Sequence, residues 1–478
     1  MSSAVRCHAA TYSPSLVERF YRGIVLPGFN SVVKGRKTFQ FADELNQSQW
    51  WPVEKIVELQ SRRLSSLIEF CWQHSCHYRV AWTQAGIKAS DIASASDLSK
   101  LPLTTRETMR DHASRIRTQL TGQASVVKST GGSSGSPLRF TIDTEANDRR
   151  VAAALRGYAM AGGGPGTKQV HLWGGTIGDQ GPLRAAKEYV YSRWLNRRVM
   201  LDSFGLCDPN AEQFIRQINR HRPDVLVAYT NPIDTLSRIV LERDLSVHQP
   251  RAIITGAEKL HDYQRQRIEE AFRAPVFETY GSREFTLIGA ECSEHAGLHL
   301  TSENLIVEVV DEDGRPTPEG EEGDIAVTDL WNRSTPFVRY LIGDRAVAGL
   351  ERCPCGRGLP LLRKVVGRQL DMLPTLDGRR LPGEFFPHLI KDFVSIRQFQ
   401  VVQRTIDEVV LKVVVDQRWS SEQADRLHAL VSEGVGRTTR LRIEEVAAIP
   451  VTKQGKHRVV VSHVVERSIP QVSRAEVA

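Results

Sequence analysis

No run of about eighteen uninterrupted apolar residues occurs in this 478-residue sequence, so no segment reads as a membrane-spanning helix. Residues 1–15 lack the cationic start and apolar stretch of a secretory signal peptide. A cytoplasmic protein without a membrane partner is the expectation. The seven cysteines, an odd number in a long chain, make no disulfide framework. Although the net charge is +7, Lys and Arg are mixed with Asp and Glu and form no basic block or arm, which argues against a nucleic-acid partner. Internal repeats and low-complexity segments are absent too. What is left is the composition of an ordinary soluble globular protein, long enough for two or three domains.

The most informative stretch that is present is Lys128-Ser-Thr-Gly-Gly-Ser-Ser-Gly-Ser-Pro137. Gly131, Gly132 and Gly135 free the backbone to turn its N–H groups inward, and Thr130, Ser133 and Ser134 add hydroxyl donors. Such a loop suits a nucleotide phosphate, although Gly/Ser runs also serve as connectors. Residues 124–128 and 138–142 read as strands on either side. A loop closing a hairpin is not a Walker A, which needs a helix directly after it and a Gly-Lys-Ser/Thr ending.

Along the chain, residues 50–76 carry an amphipathic helix with Ile56, Leu59, Leu64, Leu67 and Ile68 near helical spacing. Thr104-Thr-Arg-Glu107 has the form of an N-cap followed by a first-turn acid. Residues 144–161 read as a helix that stops at Gly162-Gly-Gly-Pro-Gly166. Apolar runs at 170–173, 225–229, 252–255 and 276–279 then alternate with helical segments at 211–219, 233–243 and 262–272, the pattern of a mostly parallel sheet with packed helices. Near residue 300 the texture changes to an antiparallel hairpin, 305–310 and 323–330, turning at Asp313-Gly314. From about residue 372 the order is strand (397–402), strand (409–415), helix (420–433), strand (441–446), a compact α+β unit.

Six spaced segments together resemble the adenylate-forming superfamily of acyl-CoA synthetases, specifically its phenylacetate–CoA ligase-like branch, which includes proteins of capsular polysaccharide clusters. They are Ser129 to Pro137, Trp173-Gly-Gly175, Thr279-Tyr-Gly-Ser-Arg-Glu284, Arg339-Tyr-Leu-Ile-Gly-Asp344, Gly367-Arg-Gln-Leu-Asp371 and Pro450-Val-Thr-Lys-Gln-Gly-Lys456, in the family's order. The resemblance implies an α/β fold: a large N-terminal adenylate-forming domain (1–370) with mostly parallel sheets plus antiparallel elements, and a small mobile α+β C-terminal lid (371–478). It implies activation of a carboxylic acid by ATP to an acyl-adenylate, with release of pyrophosphate, then transfer to CoA. An amine acceptor, or a non-catalytic nucleotide- or acyl-binding relative, is the alternative. A homodimer is the assembly the family suggests.

The site residues follow from the same resemblance. Thr130, Gly131, Gly132, Ser133, Ser134 and Gly135 would hold the β- and γ-phosphates. Tyr280 would lie beside the adenine, with Gly281 and Ser282 next to it. Glu284 would be a magnesium ligand, a hard oxygen donor for a hard cation. Asp344 would accept from both ribose hydroxyls, which suits a group that only accepts. Arg368 would reach ribose or phosphate with its fixed fork of donors. Asp371 aligns with the hinge, and Lys456, with Lys453 as fallback, with the lysine that approaches the α-phosphate and substrate carboxylate. Trp173, Gly174, Gly175 and Tyr229 are candidates for the acyl pocket or equally for the core.

This chain departs from the pattern at two places. Its loop has Ser136 where the superfamily commonly has lysine, a deficit that Lys128 or Arg139 would have to make good, and its hinge reads Leu370-Asp371 rather than Asp-Asp. Finally, Cys353-Pro-Cys355 and the upstream Cys292-Ser-Glu-His295-Ala-Gly-Leu-His299 supply three thiolates and an imidazole, a donor set for a closed structural zinc site. His299 is the first choice for the fourth ligand and His295 the other. Unrelated reduced thiols would give the same letters. Cys7, Cys71, Cys76 and Cys207 show no partner pattern and read as packing residues.

Overall fold

The structure is a computed structural model that describes residues 15–33, 35–118, 125–130, 138–174, 191–203, 206, 210–349, 352–368, 373–376, 380–381, 385–390, 393, 395–450 and 459–464. The chain divides into two compact units. One is Met1–Ile342 with Ala346–Val366, and the other is Gly343–Arg345 with Gly367–Ala478.

In the first unit, β1 (Ser125–Ser129) and β2 (Arg139–Asp143) pair as an antiparallel hairpin with Ser129 opposite Arg139, so the glycine-rich segment joins two strands as its flanks predict. The helix Thr144–Met160 follows at once, because the Asp143 side chain accepts from the Ala146 N–H and caps it. Next come β3 (Gln169–Trp173), β4 (Arg198–Asp202), β5 (Val225–Tyr229), β6 (Ala252–Gly256) and β7 (Val276–Tyr280), all parallel, in the spatial order β4-β3-β5-β6-β7. Every residue of β5 and β6 is buried, which is why these strands read as unbroken apolar runs rather than alternating ones. The helices Ala211–His221, Thr230–Glu242 and Asp262–Phe272 share a core with the parallel strands, in which Ile218, Ile233, Leu236 and Ile268 are fully buried. Each such side chain contributes roughly 1.5–3 kcal/mol by leaving water.

The sheet then changes character. β8 (Gly289–Glu291) and β9 (Leu298–Leu300) run antiparallel after β7, and β10 (Leu305–Val310), β11 (Glu322–Asp329), β12 (Tyr340–Ala348) and β13 (Leu361–Arg368) complete eleven strands. The predicted hairpin is β10–β11. A second core lies here, fed by the helix Val53–His74, whose Leu64, Leu67 and Ile68 are fully buried against Phe285, Ile288 and Phe337. The apolar residues of Phe337-Val-Arg-Tyr340 read as a strand before Asp344, yet β12 begins only at Tyr340, so Asp344 lies inside a strand rather than after one.

The second unit holds the two-stranded pair β14 (Leu373–Pro374) and β15 (Arg380–Leu381), and a four-stranded sheet of order β18-β17-β16-β19. Its strands are β16 (Ile396–Thr405), β17 (Glu408–Val415), β18 (Arg440–Glu445) and β19 (Val460–Ser462). The helix Ser421–Val435 buries Leu427 and Val431 on them, the strand–strand–helix–strand order the sequence predicts.

Candidate active site

Four parallel strands end together in chemically notable residues. Trp173 closes β3, Tyr229 closes β5, Gly256 closes β6 and Tyr280 closes β7. Ligands of open parallel sheets bind outside the carboxyl ends of their strands, because loops rather than packed helices begin there. The Trp173 and Tyr229 rings meet at 4.2 Å between centroids, and the Gly174 backbone lies against the Tyr229 hydroxyl. Burial, with Glu258 nearby, raises the Tyr229 pKa and keeps its phenol protonated. Gly256 is required beside them: a Cβ there would stand 2.7 Å from Thr279 Oγ1. Tyr280 is buried in the antiparallel-side core, so its ring has a packing role whatever else it does.

The turn after β7 is held from within. The Thr286 N–H donates to the Ser282 carbonyl and the Phe285 N–H to Ser282 Oγ. Gly281 has no room for a side chain, since a Cβ would fall 2.0 Å from the Thr286 carbonyl oxygen. This turn carries Glu284 into a buried position, where the Tyr340 hydroxyl donates to its Oε1 at 3.3 Å. Burial, then the Glu284 charge, pushes the Tyr340 pKa far up, so the phenol remains a donor.

Tyr340 leads to a residue that the sequence analysis passed over. Thr104 bridges to Tyr340, its N–H donating to the Arg339 carbonyl while its own carbonyl accepts from Leu341. Two residues on, Arg106 opens a short helix capped by Thr105 and donates from Nη2 to Thr130 Oγ1 at 2.8 Å. Thr130, at the root of the glycine-rich segment, also accepts from the Leu138 N–H at 3.0 Å. Thr130 with Arg106, and Tyr340 with Glu284, thus form two polar pairs, and the Arg106 charge pulls against the rise in the Tyr340 pKa. Arg106 was missed because Thr-Thr-Arg-Glu reads as a helix start, and nothing local announces a partner 24 residues away.

Of the remaining expected site residues, Ser282 sits in the turn described above and Asp344 is buried within β12. Gly131, Gly132, Ser133, Ser134, Gly135, Gly175, Asp371, Lys453 and Lys456 lie outside the described residues, as does the Arg368 side chain; the Arg368 backbone ends β13.

The cysteine cluster assembles from three segments. Cys292 follows β8, His299 sits in β9 opposite Leu361 of β13, and Cys353 and Cys355 lie between β12 and β13. Their ligand atoms all fall within 4.8 Å of one another, with Cys292 Sγ 3.5 Å from Cys353 Sγ and Cys355 Sγ 3.4 Å from His299 Nε2. Burial, then Arg357, lowers the His299 pKa to about 4, leaving the neutral imidazole that a metal needs. Burial raises the Cys292 and Cys353 thiols, while at Cys355 burial is outweighed by hydrogen bonds from Arg357 and Cys353, and its pKa falls. His295 is elsewhere: its Nδ1 lies 3.3 Å from Glu291 Oε2 and from Arg265 Nη1, and its ring 4.9 Å from Phe277.

Residues 197–331 match the family model of the AMP-binding enzymes, and residues 373–463 match that of the CapK C-terminal domain. The chain carries an AMP-binding enzyme domain and a CapK C-terminal domain. The turn with Glu284 falls within the AMP-binding match, and the four-stranded α+β unit is the CapK domain. Phenylacetate-coenzyme A ligase of Thermus thermophilus is 27% identical over 443 residues, 85% of this chain and 96% of the relative. Protein CapK of Staphylococcus aureus is 24% identical over 451 residues, 90% and 94% of the two chains. Among solved structures, 2-hydroxyisobutyryl-CoA ligase in its postadenylation state superposes with a TM-score of 0.68 at 19% identity, over 87% of this chain and 91% of that one. The AMP-binding domain therefore has the adenylate-forming ligase fold that the six sequence segments imply.

Proposed function

We propose that this protein is an AMP-forming carboxylate–CoA ligase. The observation that carries the reading is the pair of contacts Arg106–Thr130 and Tyr340–Glu284, together with the aromatic strand ends Trp173, Tyr229 and Tyr280, in a chain that spans nearly the full length of a phenylacetate–CoA ligase relative. A carboxylate oxygen of the acid attacks the α-phosphorus of ATP, the bond to the bridging oxygen breaks, and pyrophosphate leaves. The sulfur of CoA then attacks the acyl carbon, the thiol proton is lost, and AMP departs. Both steps bring anions together, so alignment and charge neutralisation supply most of the rate.

In this reading, Thr130 and residues Gly131 to Gly135 receive the outer phosphates, with Arg106 orienting the Thr130 hydroxyl. Tyr340 holds the Glu284 carboxylate in place, a hard oxygen donor that fits a magnesium ion, whose charge would offset that of the phosphates. Asp344 and Arg368 take the ribose, and Trp173, Gly174, Gly175 and Tyr229 wall the acyl group. Lys456 approaches the α-phosphate, and Asp371 is the hinge of a C-terminal domain that moves between the two steps. The cysteine cluster suits zinc: with Zn–S near 2.3 Å, ligands of a tetrahedral site stand roughly 3.5–3.8 Å apart, the spacing seen between its closest pairs. Four protein ligands leave no open position, so this metal would be structural.

ATP–pyrophosphate exchange across a panel of carboxylic acids tests the proposal. At least one acid is expected to support exchange, and Lys456→Ala to reduce it at least about a hundredfold. Exchange with no acid, while ATP still binds, would overturn the enzyme reading.

A further inference from the structure

Residues 16–33 form one helical stretch in which α turns at Leu16–Phe20 and Leu26–Gly28 alternate with wider π turns at Tyr21–Val25 and Phe29–Val33. The π turns widen the repeat toward four residues, so Leu16, Phe20, Ile24 and Val32 fall along one side. All four are exposed, from 54% at Phe20 to 84% at Val32. Single exposed apolar side chains are ordinary, whereas a row of them marks an interaction surface. The other side of the helix is anchored. Glu18 and Leu26 are buried, and Glu18 Oε1 lies 3.5 Å from Arg251 Nη2. The Arg197 guanidinium stands 5.5 Å from the Tyr21 ring, and the Phe29 ring meets that of Tyr191 at 5.6 Å. A Cβ at Gly166 would fall 2.9 Å from the Glu18 carbonyl oxygen. Gly166, Arg197 and Arg251 lead into β3, β4 and β6, so the helix lies at the amino ends of the parallel strands. Trp173, Tyr229 and Gly256 close the carboxyl ends, on the far side of the sheet.

Charge on this edge has one sign. Glu18 is the one acid among the first 37 residues, and it faces Arg251, while the same residues hold six cations: Arg6, Arg19, Arg22, Lys34, Arg36 and Lys37. Arg36 is taken by Asp148, but Arg19 and Arg22 are exposed beside the apolar row. The helix Ala211–His221 also returns to the amino edge, where Arg220 and Arg222 are exposed and Arg193 lies 2.9 Å from His221 Nδ1.

We propose that residues 16–32 lay their apolar row into the surface of an anionic phospholipid bilayer, with Arg19 and Arg22 meeting lipid phosphates. An apolar face flanked by cations is what holds a helix in the plane of an anionic interface. The expectation of no membrane partner rested on the lack of a spanning run, which excludes crossing a bilayer but not lying on one. Two other occupants fit less well. A second copy packed about a two-fold axis would bring Arg19 and Arg22 of both chains together and repel. Residues 1–14 offer Met1, Val5 and Tyr12 as their large apolar or aromatic side chains, too few to cover the row. Docked by the amino edge of its sheet, the protein would keep the strand ends that carry the candidate active site turned away from the lipid.

The test is co-sedimentation of the full chain with phosphatidylcholine vesicles, with and without phosphatidylglycerol, alongside sedimentation velocity without lipid. It compares wild type, the double variant Phe20→Ser/Ile24→Ser, Arg22→Glu, and Leu430→Ser as an exposed apolar control on the C-terminal unit. Wild type is expected to bind the anionic vesicles at least about tenfold more tightly than the neutral ones. The double variant should lose at least about tenfold on anionic vesicles and Arg22→Glu at least about fivefold, with Leu430→Ser unchanged. Because Phe20 and Ile24 are exposed, the double variant should melt within about 2 °C of wild type, which separates lost docking from lost folding. Arg22→Glu keeps the test open should the double variant melt lower. Equal binding to both kinds of vesicle, binding to neither, or variants that bind as wild type does would overturn the proposal. A wild-type dimer that the double variant converts to monomer, with no vesicle binding by either, would overturn it in favour of a second copy.

Discussion

Glu278, two residues before Tyr280 on β7, shows how the carboxyl edge of the sheet concentrates charge. Burial, then repulsion from Glu291, pushes its pKa up to about 7 against the pull of Arg265 and Lys259. The folded chain therefore keeps a proton on Glu278 at pH values where the unfolded chain has released it. Its contribution to stability is complete below about pH 4.5 and is lost as the pH rises through 7. Glu278→Gln mimics the protonated form, so the variant should match wild type in thermal melts near pH 4 and be more stable at pH 8, by up to about 3 kcal/mol. A variant that melts lower than wild type at pH 8 would contradict this. At the same scale, Glu284 was legible because its motif is contiguous in sequence. Tyr340, which holds it, and Arg106, which reaches Thr130, were not legible as partners, because separations of 56 and 24 residues are closed only by the fold.

At the scale of elements, the cysteine cluster shows what spacing carries and what it leaves open. The Cys-x-Cys pair and the upstream Cys/His group were visible as letters, but two histidines four residues apart could not be told apart. Strand register decides their places: β9 pairs His299 with Leu361 at the start of β13, next to the segment that bears Cys355, while His295 turns to Glu291 and Arg265. With the metal in place, three separate segments would be pinned to one point. Protein purified without chelator should carry about one zinc per chain, and Cys355→Ser should lose it and melt ~5 °C or more lower. Metal-free wild type that melts like the chelator-treated protein would contradict the assignment. Other elements followed directly from pattern. The parallel strands were legible as apolar runs because burial on both faces removes alternation, as in β5 and β6. The start of β12 was not, because Phe337 and Val338 are apolar for packing against Phe285 and its neighbours rather than for pairing.

At the scale of the whole molecule, the order βαβ, then antiparallel hairpins, then a compact α+β unit was legible because each change of period falls at a change of architecture. The antiparallel continuation through β8 and β9 was not, since three-residue strands carry too little period to read. The parallel strands end in aromatic and glycine residues, the antiparallel half supplies Tyr340 and the cysteine cluster, and the C-terminal unit has its own core around Leu427 and Val431. The proposed reaction joins a carboxylic acid to CoA at the expense of ATP. Mass spectrometry of the products from ATP, magnesium, CoA and a mixed acid library tests it most directly, with an amine pool as the second arm. An acyl-CoA mass accompanied by AMP is the expected result. AMP with an amide mass and no thioester, or no new acyl product in either arm, would contradict it.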